Sequence, residues 1–131
     1  MNLIVIDANV WIKFARSKNI APLALRLYKY KFVPVANQYL FAEIFDVVTD
    51  NKWMTGKQAE QLLLLLRQVC YQITETAVYR MSPDPKDNYL FDLAIQNNCP
   101  FIISDDNKLL SFRLQPVKVK STSWFLKNFP L

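Results

Sequence analysis

Hydrophobic and polar positions along the chain fall into two kinds of run. "NLIVI" (2–6) and "PFIIS" (100–104) are unbroken apolar stretches of strand length, the pattern of parallel strands covered on both faces. "KFVPVA" (31–36), "CYQIT" (70–74) and "PVKVK" (116–120) are further strands, and the last alternates as an edge strand does. Helical periodicity fills the intervals, at about 10–15, 21–29, 37–50, 57–69, 86–97 and 106–112, and "STSWFLKNF" predicts a closing helix. Strands separated by helices predict right-handed crossovers and an α/β fold, a three-layer α/β/α sandwich on a mainly parallel central sheet. "QLLLLLRQV" (61–69) is apolar all round, which predicts deep burial or an oligomer contact. The chain carries no linker, repeat or low-complexity segment, so residues 1–131 read as one domain.

Composition removes most chemistries. The chain has 131 residues, 52% hydrophobic, enough for one buried core. No apolar run approaches the ~20 residues of a membrane span, and "LIVI" is too short and too soon acidic for a signal peptide. A cytoplasmic location is expected. Cys70 and Cys99 sit in apolar surroundings, where free thiols behave as small hydrophobes. There is no histidine, which excludes Ser-His-Asp triads, Cys-His pairs and HExxH zinc sites. The one glycine, Gly56, cannot build a P-loop or a GxGxxG turn, both of which need several residues without Cβ. Carboxylates, hydroxyls, lysines and a hard cation remain.

Four acids stand out by position. Asp7 follows one buried strand and Asp105-Asp106 another, and the carboxyl ends of parallel strands share the sheet edge where ligands bind. A helix cap or Asx-turn explains Asp7 equally well. Glu43 borders the stripe Leu40, Ile44, Val47 and Val48, where it is either functional or a snorkelling glutamate at the core margin. Asp46 and Asp50 lie further round that helix and read as solvated. Asp87 shares a helical face with Leu90, Phe91 and Ala94, although Asp84 as N-cap, Pro85 at the first position and Asp87 two later also fit a capping-box variant. Asp92, opposite, reads as solvated. Together Asp7, Glu43, Asp87 and Asp106 can converge on one edge. Carboxylates crowded without cations repel one another, so such a cluster implies Mg²⁺ or Mn²⁺ and the chemistry of phosphodiester cleavage.

The order and context of these residues resemble the PIN-domain nucleases, in particular the toxin halves of bacterial toxin-antitoxin pairs, the VapC-like group. The resemblance runs over nearly the whole chain: "VIDANVWI" with Asp7 and Asn9, "FAEIFDVV" with Glu43, "PDPKDNYLFDLAI" with Asp87, and "FIISDDNKLL" with Asp106. It implies a PIN-like nuclease domain and a divalent-metal-dependent endoribonuclease. In that reading Asp7, Glu43, Asp87 and Asp106 are both catalytic and metal-holding, Mg²⁺ or Mn²⁺ is the cofactor, RNA the substrate and an antitoxin the partner. Ser104 stands where the family usually has Thr before the fourth acid, and the S-x-D spacing favours Asp106 over Asp105 as the acid at the metal. Asp105 is then expected to serve a turn or cap, and Asn9, Ser104 and Asp105 to support the site. Asn9 argues against the haloacid-dehalogenase phosphatases, whose second Asp gives a proton that an amide cannot.

Charge agrees with a polyanionic substrate: Lys and Arg outnumber Asp and Glu by 16 to 11. Lys13, Arg16 and Lys18 follow the first acid and Arg80 and Lys86 precede the third, each a candidate for RNA contact or an ordinary solvated charge. Trp11, Phe14 and Tyr89 are able to stack on bases, although helical spacing makes Trp11 and Phe14 core residues. The "LLLLL" helix and the aromatic "WFLKNF" tail offer apolar surface for a homodimer. Two other functions fit the residues: a PIN-like binding module without turnover, and a phosphatase-like or receiver-like protein phosphorylated on Asp7.

Overall fold

In the computed structural model, which describes residues 2–74 and 87–131, five parallel strands form one sheet in the order β3-β2-β1-β4-β5. They are β1 (Asn2–Ile6), β2 (Phe32–Ala36), β3 (Tyr71–Gln72), β4 (Phe101–Ile103) and β5 (Lys118–Lys120). The helices are α1 (Ala8–Ser17), α2 (Ala21–Lys29), α3 (Gln38–Asp50), α4 (Gly56–Val69), α5 (Asn88–Gln96), α6 (Asn107–Leu110) and α7 (Thr122–Asn128).

The two-residue period of the central strands divides the core between the sheet's faces. Ile4 and Ile6, Phe32 and Ala36, and Phe101 and Ile103 point one way and pack with residues of α1, α2, α3, α4 and α7. The intervening Val5, Val35 and Ile102 point the other way and pack with α5 and α6. That is why "IVI" at 4–6 and "FII" are apolar without alternation: neither face of the sheet meets water there. Three layers result, with β5 on one edge as its alternating pattern predicts. β3 is shorter than expected, because only Tyr71 and Gln72 pair with β2, opposite Val35 and Ala36.

Three expectations change. Of the two alternatives for α4, burial all round is the one excluded: Ala59, Leu63 and Leu66 enter the core, while Leu64, Leu65 and Val69 are exposed. The C-terminal tail is not an exposed apolar surface. Phe125 is fully buried, and Phe125 and Phe129 stack with Phe32 and Phe101 at centroid distances of 5.1–6.3 Å. Asp92 is buried rather than solvated, because residues 90–94 are buried consecutively and α5 has no open side there.

Both cysteines are buried, and burial pushes the thiols up, Cys70 to about 12 and Cys99 to about 11, so neither is a nucleophile at neutral pH. Among the described residues no helix is long and apolar enough to cross a membrane.

Candidate functional site

The carboxyl ends of β1 and β4 build the centre of the site. Past the end of β1, the backbone N–H of Asp7 donates to the Ile103 carbonyl at 2.9 Å, and past the end of β4 the N–H of Ser104 donates to Lys120 O at 2.9 Å. The two side chains are thereby held facing one another. Ser104 Oγ donates to Asp7 Oδ2 at 2.7 Å, and Asn9 Nδ2 donates to the same oxygen at 3.2 Å. The other oxygen, Oδ1, accepts the N–H of Ala8 at 2.7 Å. Asp7 is thus the N-cap of α1 and a wall of the cleft at once.

A cleft of about 420 Å³ opens above this pair, lined by Asp7, Asn9, Lys13, Arg16, Glu43, Trp53, Asp87 and Asp106 with Ala8, Ile12 and Val47. Four elements bring their acids to it. Glu43 comes from α3, half-buried, and its Oε2 accepts the Tyr89 hydroxyl from α5. Asp87 stands at the N-cap of α5, only 6% exposed, and makes no side-chain bond to the first turn of that helix. Asp106 caps α6 through Oδ1, which accepts Lys108 N–H at 2.9 Å, while its own N–H donates to Ser104 Oγ at 3.1 Å.

Asp105 turns elsewhere. Its carboxylate accepts the Thr122 N–H at 2.8 Å and hydroxyl at 2.7 Å, and lies 3.6 Å from Lys13 Nζ. The helix cap expected of Asp105 is made by Asp106, and Asp105 instead ties the end of β4 to the start of α7. Arg80, Lys86, Asp84 and Pro85 lie outside the described residues. Trp11 and Phe14 are core residues.

Burial and neighbouring charge both act on Asp7. Its carboxyl is raised to about 6, first by burial and then by the charges of Glu43 and Asp106, against the lowering effect of the Ser104 and Ala8 hydrogen bonds. The phenol of Tyr89 is pushed far above its usual range by burial and by Glu43 and Asp7, so it stays protonated and able to donate. The residues suit a hard divalent cation: every donor is a carboxylate oxygen, and a cation would offset the burial and the repulsion that together raise Asp7. As they stand, no three acid or cysteine side chains among the described residues are grouped closely enough to hold an ion.

Two contributors were missed by sequence reasoning. Trp53 sits in the irregular segment "NKWMT", where no periodicity assigns a direction. The Tyr89–Glu43 bond joins residues 46 positions apart, a contact that neither helix pattern contains.

The family model described as PIN domain matches residues 3–108, a span that includes all four acids of the cleft. No curated protein matches the chain.

Proposed function

From the premise that the chain belongs to the PIN-domain family, a family with the fold of nucleases, we infer that it is a divalent-metal-dependent endoribonuclease acting in the cleft above Asp7. The observation that carries this reading is the collection of Asp7, Glu43, Asp87 and Asp106 in one cleft, with Asp7 buried and raised by its acidic neighbours. Asp7, Glu43, Asp87 and Asp106 would hold Mg²⁺ or Mn²⁺, which when bound supplies an activated water and charge stabilisation at the phosphate. Ser104 and Asn9 orient Asp7, Tyr89 holds Glu43, and Lys13 and Arg16 on the rim receive the polyanion. In this reading residues 1–131 serve as one nuclease domain in a bacterial cytoplasm. Its motif order supports the role of toxin in a toxin-antitoxin pair, with an antitoxin as partner.

Mg²⁺ or Mn²⁺ should support cleavage of single-stranded RNA and raise Tm by binding the folded state, by about 2.7 kcal/mol of stability at a hundredfold excess over Kd. Excess chelator should abolish both effects. RNA cleavage that continues unchanged in chelator would eliminate the metal mechanism and leave a binding module or another chemistry.

A homodimer rests on α4 and α2 and no longer on the C-terminal tail. Leu64, Leu65 and Val69 on α4, with Leu25 and Tyr28 on α2, are exposed, and a groove of about 390 Å³ runs between these helices over Leu23, Leu27 and Leu66. Sedimentation at micromolar concentration should give a dimer, and replacing Leu65 and Val69 with lysine should give monomer with the fold retained. A parent that sediments only as monomer removes this assembly.

A further inference from the structure

The end of α1 and the segment after α3 meet on one lip of the acidic cleft. Arg16, in the last turn of α1, lays its guanidinium over the Trp53 ring, with Cζ 3.7 Å from the ring centroid. Both residues line the cleft that holds the four acids. Trp53 is 42% exposed, an uncommon position for an indole with no fold role. Its segment does not need the ring to keep its shape. The N–H groups of Trp53 and Met54 donate to Val48 O at 3.0 and 3.1 Å, and that of Lys52, in the left-handed region at φ 58°, donates to Thr49 O at 3.0 Å. Thr55 and Gln58 then open α4 with a reciprocal capping box.

An indole has two faces, and Arg16 covers one. Stacking also uses the flat face of the guanidinium and leaves its N–H edge able to meet a phosphate. Lys13 stands on the same wall of the cleft. A base stacked on the outer face of Trp53 would therefore have its sugar-phosphate chain beside two cations and leading toward Asp7.

We propose that Trp53, backed by Arg16, is a base-stacking platform that seats one nucleotide of single-stranded RNA at the lip of the acidic cleft. The proposal rests on the ribonuclease reading and adds to it a residue that seats the substrate. Bases in a duplex are already stacked on one another and cannot reach the platform, whereas an unpaired base can.

Binding of a short unstructured RNA is measured with Asp7→Asn protein in Mg²⁺, so that no cleavage intervenes. Adding Trp53→Ala should weaken that binding about tenfold, and adding Trp53→Phe, which keeps an aromatic face, should change it by less than about threefold. Indole fluorescence should be quenched on binding, since Trp11 is buried in the core and Trp124 packs on Phe101 away from the cleft. The quench should vanish in the Trp53→Phe variant. In the cleaving protein, Trp53→Ala should lower kcat/KM chiefly through KM, because stacking is made equally in ground and transition states. Matching circular dichroism and Tm establish that each variant is folded.

Unchanged affinity in Trp53→Ala, a quench that persists in Trp53→Phe, or duplex RNA bound as tightly as single strands would each overturn the platform. The two readings fail separately. RNA cleavage by the parent with Trp53-independent binding removes the platform alone. Trp53-dependent binding by a parent that never cleaves removes the catalysis and keeps the platform.

Discussion

Asp7→Asn is expected to make the metal-free protein more stable at pH 8 while abolishing its cleavage of RNA. The stability part follows from linkage. Asp7 is raised in the folded protein from an ordinary 3.8 to about 6, so the folded state binds this proton more tightly than the unfolded state does. The stability associated with protonated Asp7 is fully present below about pH 4 and is lost as pH rises through about 6. Above that, the ionised carboxylate costs the metal-free fold on the order of 3 kcal/mol.

Asparagine removes the charge but does not recover all of this. Its amide meets Asn9 Nδ2 donor to donor, so the Ser104 hydroxyl must turn to accept where it had donated. The net gain expected at pH 8 is about 1–2 kcal/mol, shrinking to nothing near pH 4, where the parent is protonated too. Thermal melts of both proteins in chelator across pH 4–8 check it. Mg²⁺ should reverse the order, because a cation stabilises the parent and finds one ligand fewer in the variant. Activity should fall on the order of a thousandfold, the rate equivalent of about 4 kcal/mol of lost charge stabilisation. A variant that is less stable than the parent at pH 8 and still cleaves would mean that Asp7 is a helix cap and nothing more.

Parts of this site were legible because they depend on short stretches of chain. The sheet edge could be placed from β1 and β4, where two-sided burial leaves a continuous apolar run and the first polar residue after it must lie at the strand's carboxyl end. Asp7 and Ser104 are those residues. Helical periodicity put Glu43 at the core margin, and the family resemblance gave it a place in the site. What escaped depends on surfaces far apart in sequence. Asp92 was assigned to solvent because a helical wheel presumes one open side, and α5 has none over residues 90–94. The tail was assigned to the surface because its partners, Phe32 and Phe101, lie on strands whose direction the tail's own pattern does not reveal. Trp53 lies outside any periodic element, so its place on the lip is set by the turn after α3 and by Arg16 across from it. Asp105 and Asp106 show a finer limit: adjacent acids have the same composition signal, so it was the S-x-D spacing of the resemblance that favoured Asp106, and in the structure Asp106 lines the cleft while Asp105 meets Thr122.

Ser104→Ala should act through Asp7, and in the opposite direction on stability from Asp7→Asn. Ser104 is fully buried, and its hydroxyl both donates to Asp7 Oδ2 at 2.7 Å and accepts the Asp106 N–H at 3.1 Å. One oxygen atom thus couples two of the four acids. Alanine removes the donor that favours ionised Asp7 and leaves the Asp106 N–H without its acceptor, which should destabilise the metal-free protein by about 1–3 kcal/mol. The Ser104 bond is the largest influence lowering the Asp7 pKa, so its loss raises that pKa further and moves the acid limb of the pH-rate profile to higher pH. At neutral pH, activity and metal affinity should fall by about 10- to 100-fold, the usual range for a group that orients a metal ligand, with partial recovery at alkaline pH as Asp7 ionises. Ser104→Thr keeps the hydroxyl and should restore the profile, at a cost of about 1–3 kcal/mol for a methyl added to a closed site. A Ser104→Ala enzyme that loses activity with its acid limb unmoved would separate Ser104 from Asp7. Its effect would then have to travel through the Asp106 N–H, and the threonine variant, which keeps that acceptor, would still recover the rate.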